Sequence, residues 1–239
     1  MQTKRSIRVL PAKKENLMTD SSGSRINILQ LILIPSLITL AVTLLRLVGE
    51  LQHWPTALFN RDAGGAGSII GITWLVLVFG AYFAVKLAGA GETASAGRVI
   101  GYALLALAVT FAGGFLGFGL KAEFPGKLAI GLVLIAAGGL IPLLGWKALT
   151  KVLLAYGYAA RIPVVILMYF ALRGNWGTHY DAIPPGFPEN LEFWTKYVQL
   201  AVVPQMVMWI AFTTVVGSLV GGIALAVTRR KREEAPQPA

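Results

Sequence analysis

Six stretches of the chain run almost free of polar side chains: 26–48, 67–87, 99–120, 128–144, 152–172 and 204–227. Their lengths lie close to the roughly 20 residues that a helix rising about 1.5 Å per residue needs to cross about 30 Å of hydrocarbon. The apolar positions are continuous rather than alternating, and the runs are longer than a tilted strand requires. The pattern therefore predicts helices and excludes a β-barrel. The expected fold is all-α, a polytopic transmembrane bundle of about six spans occupying residues 26–227. The fourth run is short, and the fifth contains Arg161 and could begin later than residue 152, so five spans is the alternative count. Composition agrees: 56% of residues are hydrophobic and 13% charged, with a mean hydropathy of +0.68, far from an ordinary soluble domain.

The polar remainder divides into tails and loops. Residues 1–25 are Ser/Lys-rich and read as a disordered basic tail, too long and too charged for the start of a cleaved signal peptide; Met18 is an alternative start. Residues 228–239, with "EEAPQPA" at the end, read as a second disordered basic tail. Between the spans lie two long loops, 49–66 and 173–199, and two short connections, "AGAGETASAGR" and "KAEFPGK", whose flanking helices should be antiparallel neighbours. The longer loop holds Pro184, Pro185 and Pro188 and the aromatics Trp176, Tyr180, Phe187, Phe193, Trp194 and Tyr197, material suited to a membrane interface.

A net charge of +10 suggests nucleic acid only until the charges are located. Lys4, Arg5, Arg8, Lys13, Lys14 and Arg25 precede the first span, and Arg229, Arg230, Lys231 and Arg232 follow the last. Adding Lys86, Arg98, Lys147 and Lys151 gives 14 basic residues on the side of the tails against five opposite: Arg61, Lys121, Lys127, Arg173 and Lys196. This asymmetry predicts cytoplasmic N and C termini and a bilayer with an anionic inner leaflet as the partner, not nucleic acid. The expected location is a cell membrane of the bacterial inner-membrane kind.

Within the spans, glycines four apart (67 and 71, 97 and 101, 113 and 117, 217 and 221) allow close helix approach, either inside one bundle or across a homo-oligomer face. Pro35, Pro142, Pro163 and Pro204 each remove a helix hydrogen bond; such breaks are kinks or, in transporters, solute sites. Pro204 also suits the junction between an interfacial helix starting near Asn190 and the last span.

Arg161 is the charge in the least hospitable place. If residues 146–158 lie along the inner interface, it is shallow and its head snorkels to water. If the span starts near Val152, it sits near mid-depth, where a cation costs at least about 2.5 kcal/mol unless paired or wet. It is the leading pathway or ligand residue, with Gln205, Thr213 and Thr214 as candidate neighbours. Arg46 and Glu50, spaced i, i+4, read as an ion pair at the outer end of the first helix, with a relay role as the alternative. His53, His179 and Asp181 are the only weak candidates for a metal, because both histidines fall in outer loops. Without a histidine in a span, a haem held between helices by two imidazoles is excluded. With no cysteine, thiolate chemistry is excluded too. No GxSxG, HExxH, phosphate-binding loop or paired catalytic carboxylates appear, so an enzyme has little support and no cofactor is called for.

Two functions remain. One is permeation or transport of a small solute or anion along a path containing Arg161, which requires a cavity at that depth. The other is a non-catalytic accessory or assembly subunit of a membrane complex, docking through the long outer loop and otherwise fully packed.

Overall fold

A computed structural model describes residues 27–65, 68–92, 94–188 and 190–234. The expectations for the N-terminal tail, including its basic residues and Met18, lie outside the described residues, as do Gly67 and residues 235–239. Every regular element among the described residues is helical. Five helices are long and apolar enough to cross a membrane: α1 (Ile28–Leu51), α3 (Ala96–Gly119), α4 (Lys127–Gly145), α5 (Lys147–Gly174) and α6 (Phe193–Arg230). A sixth, α2 (Leu75–Gly89), is apolar but shorter.

α2 begins eight residues later than the apolar run that predicts it. Ser68 Oγ donates to Leu58 O, and Ile69 and Ile70 donate their N–H groups to Ala57 and Leu58. The backbone of 68–70 is thus satisfied by the preceding loop instead of a helical turn. Gly64 and Gly65, both at positive φ, bend the chain back to make this pairing. At the other end of the sequence, α6 starts at Phe193 and stays helical through Glu234. The interfacial segment and the last span are therefore one helix, and the C-terminal tail loses residues 228–234 to it.

The bundle is built around α6, which packs against α2, α3, α4 and α5, while α1 rests mainly on α5. Glycine sets the spacing: a Cβ on Gly80 would meet Gly217 O at 2.7 Å, and one on Gly113 would meet Gly131 O at 2.7 Å. These are backbone-to-backbone approaches that lipid alone would not drive. Gly97 and Gly101, by contrast, face open space. Arg98 Nε donates to Leu144 O at 3.0 Å, and Gly221 abuts Leu149 and Ala84. One end of the bundle thus gathers the close of α2, the start of α3, the α4–α5 corner and the later turns of α6.

α5 is a single 28-residue helix through Pro163. Leu149, Val152, Leu153 and Tyr156 on its first half are at most 1% exposed. Residues 147–158 expose Lys147, Lys151 and Tyr158 but continue without a break into the rest of α5, so they are not a separate segment but the first half of that helix. Arg161 then falls near its middle, about 21 Å along from Lys147.

Candidate functional site

The site begins at the end of α1. Arg46 Nε donates to Glu50 Oε1 at 2.7 Å, one helical turn away as the i, i+4 spacing dictates. Arg46 Nη2 also donates to Asn60 O and Gly65 O, each at 3.0 Å. The loop between α1 and α2 is thereby wrapped around the guanidinium. Gly65 is required there: a Cβ would stand 2.6 Å from Arg46 Nη2.

The long loop 173–199 folds back onto the same carboxylate. His179 donates its backbone N–H to Glu50 Oε2 at 2.8 Å, and its Nδ1 lies 2.6 and 2.8 Å from Oε1 and Oε2. Tyr180 follows, its hydroxyl donating to Thr43 O at 3.2 Å. Burial pushes the His179 pKa down, and the Arg46 charge adds to this against the pull of Glu50. The imidazole is accordingly neutral, with its proton held on Nδ1 by the carboxylate and Nε2 left as an acceptor. Burial also pushes the Tyr180 phenol up, so it keeps its proton and can donate it.

Asp181 is spent on its own turn, accepting from Gly177 N at 2.9 Å and from Thr178 N and Oγ1 at 2.8 and 2.6 Å. His53 pairs with the Arg61 side chain in the other loop. His53, His179 and Asp181 therefore do not converge, and no group of three potential metal-binding side chains occurs among the described residues.

Beneath this polar cap lies a cavity of about 530 Å³ whose wall includes Arg46, His179, Tyr180, Arg161, Gln205 and Trp209. Arg161 is 5% exposed. Its Nη1 donates to Gln205 Oε1 at 3.1 Å, and its guanidinium carbon stands 4.5 Å over the Trp209 ring, a favourable cation–π geometry. No carboxylate pairs with it among the described residues. Among the described residues, two arginines but no Asp or Glu form the wall. Since Glu50 neutralises Arg46, the net charge presented to the cavity is that of Arg161.

Gln205 reaches Arg161 because α6 widens there. Val198–Val202 and Pro204–Met208 are π-helical turns, as is Phe115–Gly119 in α3, and all three border the cavity through Gln199, Gln205 and Phe118. Pro204 offers no N–H to the preceding turn, which favours this widening over a regular turn. Thr213 and Thr214 turn away: Thr213 Oγ1 donates to Trp209 O at 2.7 Å, and Thr214 Oγ1 to Gly139 O at 2.8 Å, tying α6 to α4. Neither lines the cavity. Pro35 supplies its carbonyl to Thr39, and Pro142 opens the short turn that ends α4.

The long helix α5 contributes Arg161, Val164 and Met168 to the wall, and an aromatic cluster outside the wall packs the turns that precede them. Tyr156, about one and a half turns before Arg161, is locked edge-on between Phe79 and Phe83 with centroids 5.4 and 5.5 Å away. Its hydroxyl shares a 2.8 Å hydrogen bond with Thr39. Tyr156, Trp209 and the Glu50–His179 bridge carry no signal in the sequence, where an isolated aromatic or loop histidine reads as packing. The chain matches no protein-family model, no curated protein and no solved structure.

Proposed function

We propose that this protein is an integral membrane protein of the transporter kind, which binds a small anionic solute on Arg161 and passes it across the bilayer by alternating access. The observation that carries the reading is a buried guanidinium that, among the described residues, has no carboxylate partner and faces a cavity wall without an acid. A cation kept in a low-dielectric interior without a counter-charge is stabilised when an anion fills the space beside it. The close-packed aromatic cluster at Tyr156, which precedes the cavity-lining part of α5, argues for a site exposed to one side at a time rather than for an open pore.

Six crossings fit the arrangement. α2 spans only about 22 Å, but the irregular segment ahead of it contributes Ile72 and Thr73 to the cavity wall. Irregular backbone at membrane depth is tolerated where protein or a cavity, not lipid, surrounds it. The excess of basic residues on the side of the tails supports cytoplasmic termini and a bacterial-type cell membrane. The cavity then lies in the outer half. Docking of an assembly partner on the long loop has less support, because Tyr180 is buried and Ala182, Pro184 and Phe187 face the cavity.

The test is uptake of labelled ethyl phosphate into proteoliposomes of neutral lipid. Uptake above that of empty liposomes, lost in Arg161→Gln and partly kept in Arg161→Lys, supports the reading. Uptake by Arg161→Gln equal to that of the unaltered protein overturns it.

A further inference from the structure

The cavity is too large and too greasy for a small anion alone. At about 530 Å³ it falls in the range of roughly 300 to 1,000 Å³ that organic ligands occupy, whereas one water takes about 30 Å³ of liquid. Its polar groups gather at one end, around Arg46, His179, Arg161 and Gln205. Most of the rest of the wall is apolar, including Phe118 at the end of α3, Leu128 and Leu132 at the start of α4, Val164 and Met168 on α5, and Leu200, Val203 and Met208 on the widened part of α6. The exposed residues of the wall include Thr73, Pro184 and Gln199 as well as apolar ones of α3 and α4. Phe118 is 56% and Leu128 47% exposed, and the neighbouring outer surface continues through Phe111, Phe115, Ile130 and Val133. On a membrane-spanning bundle such a surface faces acyl chains, so the cavity opens sideways into lipid.

Resting on the anion-binding reading above, we propose that the ligand is a single-chain amphiphile. Its oxyanion head, a phosphate or a carboxylate, sits against Arg161, and its alkyl chain lies along Leu132, Val203 and Met208 towards the exposed Phe118 and Leu128. The guanidinium supplies the planar donor array that oxyanions match. The apolar wall replaces the lipid contacts that the chain gives up on entering, so the charge rather than the chain drives entry. A head drawn from the bilayer also avoids crossing the loop cap that Glu50 and His179 hold shut.

The experiment uses the full chain in nanodiscs of neutral lipid, with a decyl phosphate carrying a diazirine at the far end of its chain. The expected result is cross-linking at Phe118, Leu128, Leu132 or Met208, reduced about tenfold in Arg161→Gln and largely retained in Arg161→Lys. Unlabelled decyl phosphate should compete, while ethyl phosphate and decyltrimethylammonium at equal concentration should not. Labels confined to the outer surface of the helices, indifferent to Arg161→Gln, overturn the proposal. Equal competition by ethyl phosphate also overturns it, since the chain would then add nothing. Ethyl phosphate titrated against Trp209 emission, with Trp209→Phe as the blank, separates the two readings: a response with no cross-link in the cavity leaves the anion site standing, and no response removes both.

Discussion

Glu50 accepts the backbone N–H of His179 at 2.8 Å across 129 positions of sequence, while its other oxygen takes the Arg46 guanidinium at 2.7 Å. One buried carboxylate, 1% exposed, therefore closes the outer loop and neutralises a cation on its own helix. Glu50→Ala removes both functions and leaves Arg46 with only the carbonyls of Asn60 and Gly65. Breaking a buried pair by deleting one partner costs about 3 to 5 kcal/mol, so thermal unfolding in detergent should show a loss of that order. Unfolding at the same temperature as the unaltered protein would mean that the bridge contributes nothing.

The same contact makes loop closure depend on pH. His179 faces Glu50, Arg46 and Asp181, and burial holds its pKa below the ordinary value. A group whose pKa is lowered in the closed state favours closure above its free value of about 6.5 and loses that contribution as pH falls through the closed-state value. Hydrogen exchange at the His179 amide, corrected for its intrinsic rate, should lose protection below about pH 6.5. Protection that rises on acidification would show instead that an imidazolium–carboxylate pair tightens the loop.

The sequence already displays the long apolar rods, because unbroken hydrophobicity over some 20 residues has few other uses. The spacing of Arg46 and Glu50 likewise carries its own geometry. Residues 68–74 mislead for the same reason that the rods do not: hydropathy registers that Ile69, Ile70 and Ile72 avoid water, but not that Leu58 and Ala57 take up the backbone there. Periodicity is equally silent about which loop covers which helix end, so His179 over Glu50 could not be read from it. Arg161 was conspicuous as a charge, whereas its depth depended on where α5 starts, and Trp146 to Tyr158 has the apolar residues for either placement.

Arg161 separates a ligand site from a structural one by the sign of its stability effect. A buried cation held only by an amide and an indole has a desolvation penalty that its contacts do not offset, and replacing buried ionic groups with packed apolar ones is often stabilising by about 1 to 4 kcal/mol. Arg161→Met should unfold at the same or a higher temperature than the unaltered protein while losing the Trp209 response to ethyl phosphate. Destabilisation by more than about 2 kcal/mol, well outside the neutral-to-stabilising outcome of such replacements, would make Arg161 a structural tie to Gln205.

The absence of cysteine from the chain makes the cavity's limits measurable. Met208 lies on its wall, whereas Leu153, fully buried on α5, is outside the wall and precedes Tyr156 on the helix. In nanodiscs, Met208→Cys should react with a small thiol reagent and Leu153→Cys should stay protected. Decyl phosphate should slow the reaction at Met208→Cys by at least several-fold, and Arg161→Gln in the same background should abolish that protection. Opening the aromatic cluster with Tyr156→Ala, which leaves a void costing about 3 to 5 kcal/mol by analogy with other large aromatic truncations, should expose Leu153→Cys to the reagent. Continued protection of Leu153 in a folded Tyr156→Ala protein would place the barrier elsewhere in the bundle.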